Sequence, residues 1–178
     1  WAKYYADDGA LFLRITNLDH NTIDLDLSSM QFVRPPRGAE GERTRVQVGD
    51  ILISITADVG MIGLIRADLG DAYINQHICL ARPKGEHLPE FLAYFLASPA
   101  SGLGQLTAMQ RGATKVGLTL HDIRSLEFSL PTIREQGEIV RRVGDLFALA
   151  DAIEVRYRVV MARVEKIRSQ GSGVRSQV

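Results

Sequence analysis

The chain has 178 residues, 46% hydrophobic and 24% charged, the ordinary make-up of a globular domain with room for an extension. Its 21 basic residues balance 21 acidic ones, so overall charge makes no case for nucleic acid and any such charge must be local. No apolar run approaches the ~18 residues that a membrane span needs, and no signal peptide stands at the start.

Trp1 stands where a methionine would open a complete chain, which fits a piece of a longer polypeptide or trimmed ends. Residues 1–131 read as mixed α/β. Leu11 to Thr16 is rich in apolar and β-branched residues and predicts a strand, and Met30 to Val33 is a weaker strand candidate stopped by Pro35-Pro36. Arg34 to Arg45, with two prolines, two glycines and four arginines, reads as an exposed loop. After the turn signal Gly49-Asp50, the continuous apolar run Ile51 to Ile55 suits a strand buried on both faces. Met61 to Ala67 and Tyr73 to Ala81 continue the strand pattern. Cys79, alone in the chain, cannot form an internal disulfide; it fits a small buried hydrophobe and a reducing cytoplasm.

The character changes at Pro89. Phe91, Leu92, Tyr94, Phe95 and Leu96 fit one face of a helix that stops near Ser98-Pro99, and Ser101 to Gln110 fits a second short helix. Leu126 to Leu130 predicts a return to strand, ended by Pro131. Thr132-Ile133-Arg134-Glu135 then fits a capping box. From there Ile139, Val143, Leu146, Ala150, Ile153, Tyr157, Val160, Val164 and Ile167 recur at alternating steps of four and three. That is a coiled-coil seam of about four heptads on a helix ~55 Å long. Gly137 and Gly144 lie within it and weaken it, each by ~1 kcal/mol against alanine. A 130-residue domain cannot cover such a helix along its length, so the seam wants a partner helix; an ordinary amphipathic helix folded back on the domain is the alternative. The expected fold class is α+β: a mixed, strand-rich domain over 1–131, one long coiled-coil helix over 132–170, and a flexible tail over 171–178.

Enzyme signatures are absent. Gly112-Ala113-Thr114-Lys115 is not a phosphate-binding loop, because the preceding glycine is missing and Lys and Thr stand in the wrong order. There is no G-x-S-x-G element. His20, His77, His87 and His121 show no metal-ligand spacing with one another or with Cys79. Arg34-Pro35-Pro36-Arg37 is not the Asn/Asp-Pro-Pro-aromatic element of a methyltransferase. No acid/base pair can be nominated among the scattered carboxylates.

Four pieces carry a resemblance. They are Val48-Gly49-Asp50-Ile51-Leu52-Ile53-Ser54 with Gly60 and Gly63; Ile74-Asn75-Gln76-His77-Ile78 ahead of Leu80-Ala81-Arg82-Pro83; Arg111-Gly112-Ala113-Thr114-Lys115 with Leu118-Thr119 and Ile123; and Phe128 to Gln136, which runs straight into the heptad helix. In this order and spacing, over roughly residues 11 to 169, they resemble the type I restriction–modification specificity subunit. The resemblance implies two target recognition domains per subunit, each reading one half of a split DNA target. Each is followed by a long helix, and the two helices pack antiparallel as a ruler. It implies methyltransferase subunits docked around them, which hold S-adenosylmethionine, and a separate restriction subunit that translocates and cuts. The specificity subunit itself is then non-catalytic, binds no cofactor or metal, and works in the cytoplasm. This chain departs from that pattern in having one domain and one helix. It is either half of a full subunit or a short form that pairs with itself, and a symmetric pair reads a palindromic split site.

For phosphate contacts the candidates are Arg111, Thr114 and Lys115, in a stretch with no acid between Leu103 and His121; a solvated turn is the plain alternative. For base reading the candidates are Gln31, Arg34, Arg37, Arg43 and Arg45, since arginine forks suit guanine and glutamine suits adenine. Glu40 and Glu42 share that loop, so a self-neutralised surface is the alternative. If these arginines read DNA, they should cluster on one concave face. Asn75, Gln76 and His77 either face DNA or satisfy buried backbone. The helix-helix interface falls to Ile139, Val143, Leu146, Ile153, Tyr157, Val160, Val164 and Ile167. A competing reading is a dimeric coiled-coil interaction module with an accessory α/β domain and no DNA role. Asp7, Asp8, Asp19, Asp24 and Asp26 fit that at least as well.

Overall fold

The computed structural model describes residues 1–35, 38–111 and 117–172, and divides into a compact unit Trp1–Gly137 and a second unit that begins at Glu138. The first unit is built on two small sheets. One holds β1 (Tyr5–Ala6), β2 (Ala10–Leu13), β3 (Phe32–Val33) and β6 (Ala72–Ile74) in the order β1-β3-β2-β6. In it β3 is antiparallel to β1 and β2, and β2 is parallel to β6. The other sheet holds β4 (Ile51–Ser54) between β5 (Ile62–Leu64) and β7 (Ile78–Ala81), antiparallel throughout.

The apolar run in β4 is buried on both faces, as its sequence demands: Ile51 and Ile53 are 1% exposed and Leu52 is fully covered. The two-residue period of a strand separates these side chains. Leu52 joins Leu11, Leu13, Ile74 and Ile78 in the main core, where the two sheets meet. Ile51 and Ile53 line the opposite side with Leu92 and Phe95 of α2 (Pro89–Ala97). Close contact sets one residue choice here: a Cβ on Gly63 of β5 would stand 2.5 Å from Leu18 and 2.6 Å from Leu25. A smaller cluster of Ala10, Phe12 and Val33 packs against Trp1, Tyr4 and Tyr73, with the Trp1 and Phe12 rings 4.9 Å apart.

Four expectations are corrected. The 34–45 stretch holds a six-residue helix, α1 (Ala39–Thr44), because Ala39, Glu40, Glu42 and Arg43 are all tolerant of helix. The Leu11 to Thr16 strand stops at Leu13, and Ile15–Asn17 forms a 3₁₀ turn in which Asn17 accepts from the Arg14 N–H at 2.8 Å. The Tyr73 to Ala81 run is broken at Asn75–His77, which puts its halves in different sheets. Residues 126–130 join no ladder. The Gln105 side-chain amide instead donates to the Glu127 carbonyl at 2.7 Å and accepts from its N–H at 2.9 Å, filling the place of a neighbouring strand.

After α3 (Gly102–Arg111), the sequence reading passed over α4 (Leu120–Arg124), which Thr119 and Asp122 cap reciprocally. The same device starts α5 (Ile133–Ser172): Thr132 donates to Glu135 from its N–H at 2.9 Å and its hydroxyl at 2.7 Å, and accepts the Glu135 N–H at 3.4 Å. One turn further on, Gln136 is 1% exposed. Its carbonyl accepts the Leu88 N–H at 2.9 Å, an unpaired donor at the start of α2, and its amide donates to the Pro131 carbonyl at 2.9 Å. Beyond Glu138, the seam residues stand open: Ile139 is 37% exposed, Leu146 66%, Ile153 59%, Tyr157 62% and Ile167 69%, while Val143 is half-buried.

Candidate nucleic-acid interface

Three of the four sequence pieces meet at the turn between β4 and β5. Ser54, fully buried, accepts the Met61 N–H on its hydroxyl at 2.8 Å and so closes the turn. At the tip, Ala57 holds φ +59°, a conformation that a side chain disfavours. The β6–β7 connection lies alongside: the Ile55 N–H donates to the His77 carbonyl at 3.0 Å, and the Thr56 hydroxyl and His77 Nδ1 share a hydrogen bond of 2.6 Å. Gln76 reaches the other ring nitrogen of His77 at 3.0 Å. Asn75 is buried and shapes this connection by accepting the His77 N–H on its side chain at 3.0 Å. The third piece arrives through Gly117 and Leu118, whose N–H donates to the Ile55 carbonyl at 2.7 Å. Gly117 has φ +109°, and a Cβ there would stand 2.7 Å from that carbonyl, so the approach requires glycine.

Electrostatics at this edge is mixed. Asp58, beside Ala57, contacts His20 at 2.9 Å, and both side chains are exposed. Two arginines of the 31–45 region, Arg34 and Arg45, are engaged. Arg34 meets Asp8 at 2.8 Å with both side chains 77% exposed, and this hydrogen bond raises its guanidinium pKa further above its usual value. Arg45 meets Asp71 at 2.6 Å. They are not neighbours on the first sheet: Arg34 continues the inner strand β3, where its N–H donates to the Tyr4 carbonyl, whereas Arg45 bridges Tyr73 outside β6.

Residues 39–157 match the family model described as the type I restriction modification DNA specificity domain. The chain belongs to this family. Among its relatives is the EcoBI specificity subunit of Escherichia coli, a type I restriction enzyme component, 32% identical over 163 residues; the match covers 90% of this chain and 33% of that protein. The EcoKI specificity subunit of Escherichia coli strain K12 is 31% identical over 134 residues, covering 72% of this chain and 29% of that one. The specificity domain thus spans about a third of the length of the relatives it matches. The fold is shared with the HsdS subunit crystal structure from Thermoanaerobacter tengcongensis, at a TM-score of 0.65 and 24% identity over 81% of this chain and 37% of that one. A second chain, from work on complex assembly and conformational transition of the type I R-M system, gives a TM-score of 0.64 at 23% identity over 82% and 37%.

Within the specificity domain, several residues of the four pieces are structural. Asp50 is 1% exposed and accepts from Arg82 Nε and Nη2 at 2.7 Å each and from the Gln47 N–H at 2.7 Å. Thr119 is a helix cap. Gln136 ties helix starts together. The Gln31 amide, half-buried, donates to the Phe32 carbonyl at 3.0 Å. Arg43 stands exposed in the last turn of α1, and Arg111 closes α3. Arg37, Thr114 and Lys115 lie outside the described residues. The sequence reading missed Thr56 and Ala57 at the turn tip; Asp58 and Gly60 directly after an apolar run were the available turn signal. Among the described residues, no cluster of His, Cys, Asp and Glu could hold a metal, and no helix is long and apolar enough to cross a membrane. Burial raises the Cys79 thiol pKa, partly offset by the Arg124 charge.

Proposed function

We propose that this domain is a DNA-reading half of a type I specificity subunit and is itself non-catalytic. The observation that carries the reading is the convergence of three family pieces on the β4–β5 turn, with the 112–116 stretch bounded by α3 and by Gly117 docked on Ile55. A strained tip beside polar Thr56, Gln76 and His77 supplies hydrogen-bonding groups on a rigid support. Arg111, Thr114 and Lys115 then hold phosphates. Gln31, Arg34, Arg37, Arg43 and Arg45 are the base readers in this account. Exposed ion pairs such as Arg34–Asp8 and Arg45–Asp71 contribute little on their own, so exchanging a carboxylate for DNA costs little.

The partners in this reading are double-stranded DNA, methyltransferase subunits that hold S-adenosylmethionine, and a restriction subunit, in the cytoplasm. The exposed seam of Ile139, Val143, Leu146, Ile153, Tyr157, Val160, Val164 and Ile167 pairs with a second helix, from elsewhere in a longer chain or from a second copy. Affinity of the methyltransferase-bound domain for mixed-sequence duplex, measured over a salt series, tests the reading. Affinity should fall steeply with salt, and Arg111→Ala, which removes a phosphate contact, should reduce the log–log slope by about one. Salt-independent or absent binding contradicts it.

A further inference from the structure

On the side of the second sheet away from the main core lies a cavity of about 320 Å³. Organic ligands occupy sites of roughly 300 to 1,000 Å³, so this one suits a small molecule. Its floor is Ile51 and Ile53 of β4 with Ala81 of β7, and Leu92 and Phe95 of α2 close one side. Ala81, the cross-strand partner of Ile51, is the small residue that leaves the space. The opposite wall is the extended segment after α4. The Gln105 side chain pins Glu127 by its backbone, and the alternation of an extended chain puts Leu126 and Phe128 on the lining and leaves Glu127 exposed. The Phe95 and Phe128 rings stand 5.4 Å apart and tilted by 50°, which makes part of this wall aromatic.

Charge around the cavity has one sign. Arg82, Lys84, His87 and Arg124 line it, and no acid does. Arg82 is committed to Asp50, but Lys84 and Arg124 are exposed and, among the described residues, make no ion pair. His87 adds a ring nitrogen, Nδ1, that is buried without a hydrogen-bond partner. The acids of the same segments are turned elsewhere: Glu86 and Glu127 are exposed outside the lining, and Asp122 caps α4. The Arg124 charge is felt at Cys79, the cross-strand partner of Ile53, which puts this guanidinium beside the cavity face of the sheet. An apolar, partly aromatic cavity edged by unpaired cations matches a ligand with an apolar body and one negative charge. A cationic ligand would meet like charge there.

We propose that this cavity is a binding site for a small amphipathic carboxylate, an aryl or branched-chain acid. Its apolar body lies against Ile53, Phe95 and Phe128, and Lys84 and Arg124 hold its carboxylate. Nothing in this site depends on DNA reading.

The test titrates phenylpropionate into the whole isotope-labelled chain and follows amide shifts by NMR. Neutral phenylpropanol and cationic phenylpropylamine serve as probes of the same shape. The carboxylate should bind saturably, with its shifts centred on Ile53, Leu92, Ile123 and Phe128. It should bind about tenfold more tightly than the alcohol, the worth of one charge-assisted contact, and the amine more weakly still. The K84Q/R124Q variant changes only exposed positions, and circular dichroism checks that it is folded. It should lose that tenfold advantage while its affinity for the alcohol stays unchanged. Equal affinity for the three probes, shifts scattered over the surface, or no saturable binding of the carboxylate overturns the proposal. So does binding of a capped peptide with one Phe between acids where phenylpropionate fails, which would give this face to a partner protein.

Discussion

At the scale of single residues, the specificity domain spends several of its family motif positions on construction. Asp50 is a buried carboxylate whose lone pairs are taken by Arg82 and by the Gln47 N–H. Asp50→Asn should cost about 1.5–3 kcal/mol by weakening charge-assisted bonds. Arg82→Ala should cost more, up to about 3–5 kcal/mol, because it leaves a buried charge unpaired. Urea titration of both variants checks the order; a harmless Arg82→Ala would mean that Asp50 finds water. Gln136→Ala strands the Leu88 N–H and the Pro131 carbonyl and should cost about 1–3 kcal/mol. Hydrogen exchange should show the first turn of α2 opening faster in that variant. Arg34 is the contrasting case. Its pair with Asp8 is exposed on both sides, so Arg34→Ala should leave the urea midpoint unchanged while altering DNA binding.

At the scale of elements, the start of α5 has a built-in acid response. Hydrogen bonds from Arg141 and Arg142 lower the Glu138 carboxyl pKa from 4.5 to about 2, and Thr132 lowers that of Glu135. A depressed acid contributes stability above its unfolded pKa and loses it as pH falls through the folded one. Helicity near residues 135–142 should therefore decline between about pH 4.5 and pH 2, and salt should blunt the effect. Amide shifts followed by NMR check this, and Glu138→Gln should flatten the response.

Much at this scale was legible beforehand. The double burial of β4 followed from its unbroken apolar run, and the long helix from its period and capping box. What escaped depended on partners distant in sequence. The 126–130 run has strand composition, yet its ladder neighbour is the side chain of Gln105. The polar Asn75 divides an apolar run because its side chain caps its own turn. The Thr119–Asp122 box repeats the logic of Thr132–Glu135 on a helix of five residues, too short to show a period. The candidate base readers were legible as residue types, but not their carboxylate partners: Asp8 and Asp71 each lie 26 positions from the arginine they meet.

At the scale of the whole molecule, the balanced charge conceals a division. The first unit, 1–137, carries 13 basic and 16 acidic residues, and 138–178 carries 8 and 5. The unit proposed to read DNA is thus the more acidic of the two, so in that reading its contact with duplex rests on local groups rather than on net charge. The central claim, that this unit reads sequence, is tested most directly by selecting from a pool of random duplexes with the domain in its methyltransferase complex and sequencing what is retained. The account predicts an enriched short motif that loses positions, without loss of folding, when Arg34 and Arg45 are replaced by alanine. A retained pool with the base composition of the input would contradict it.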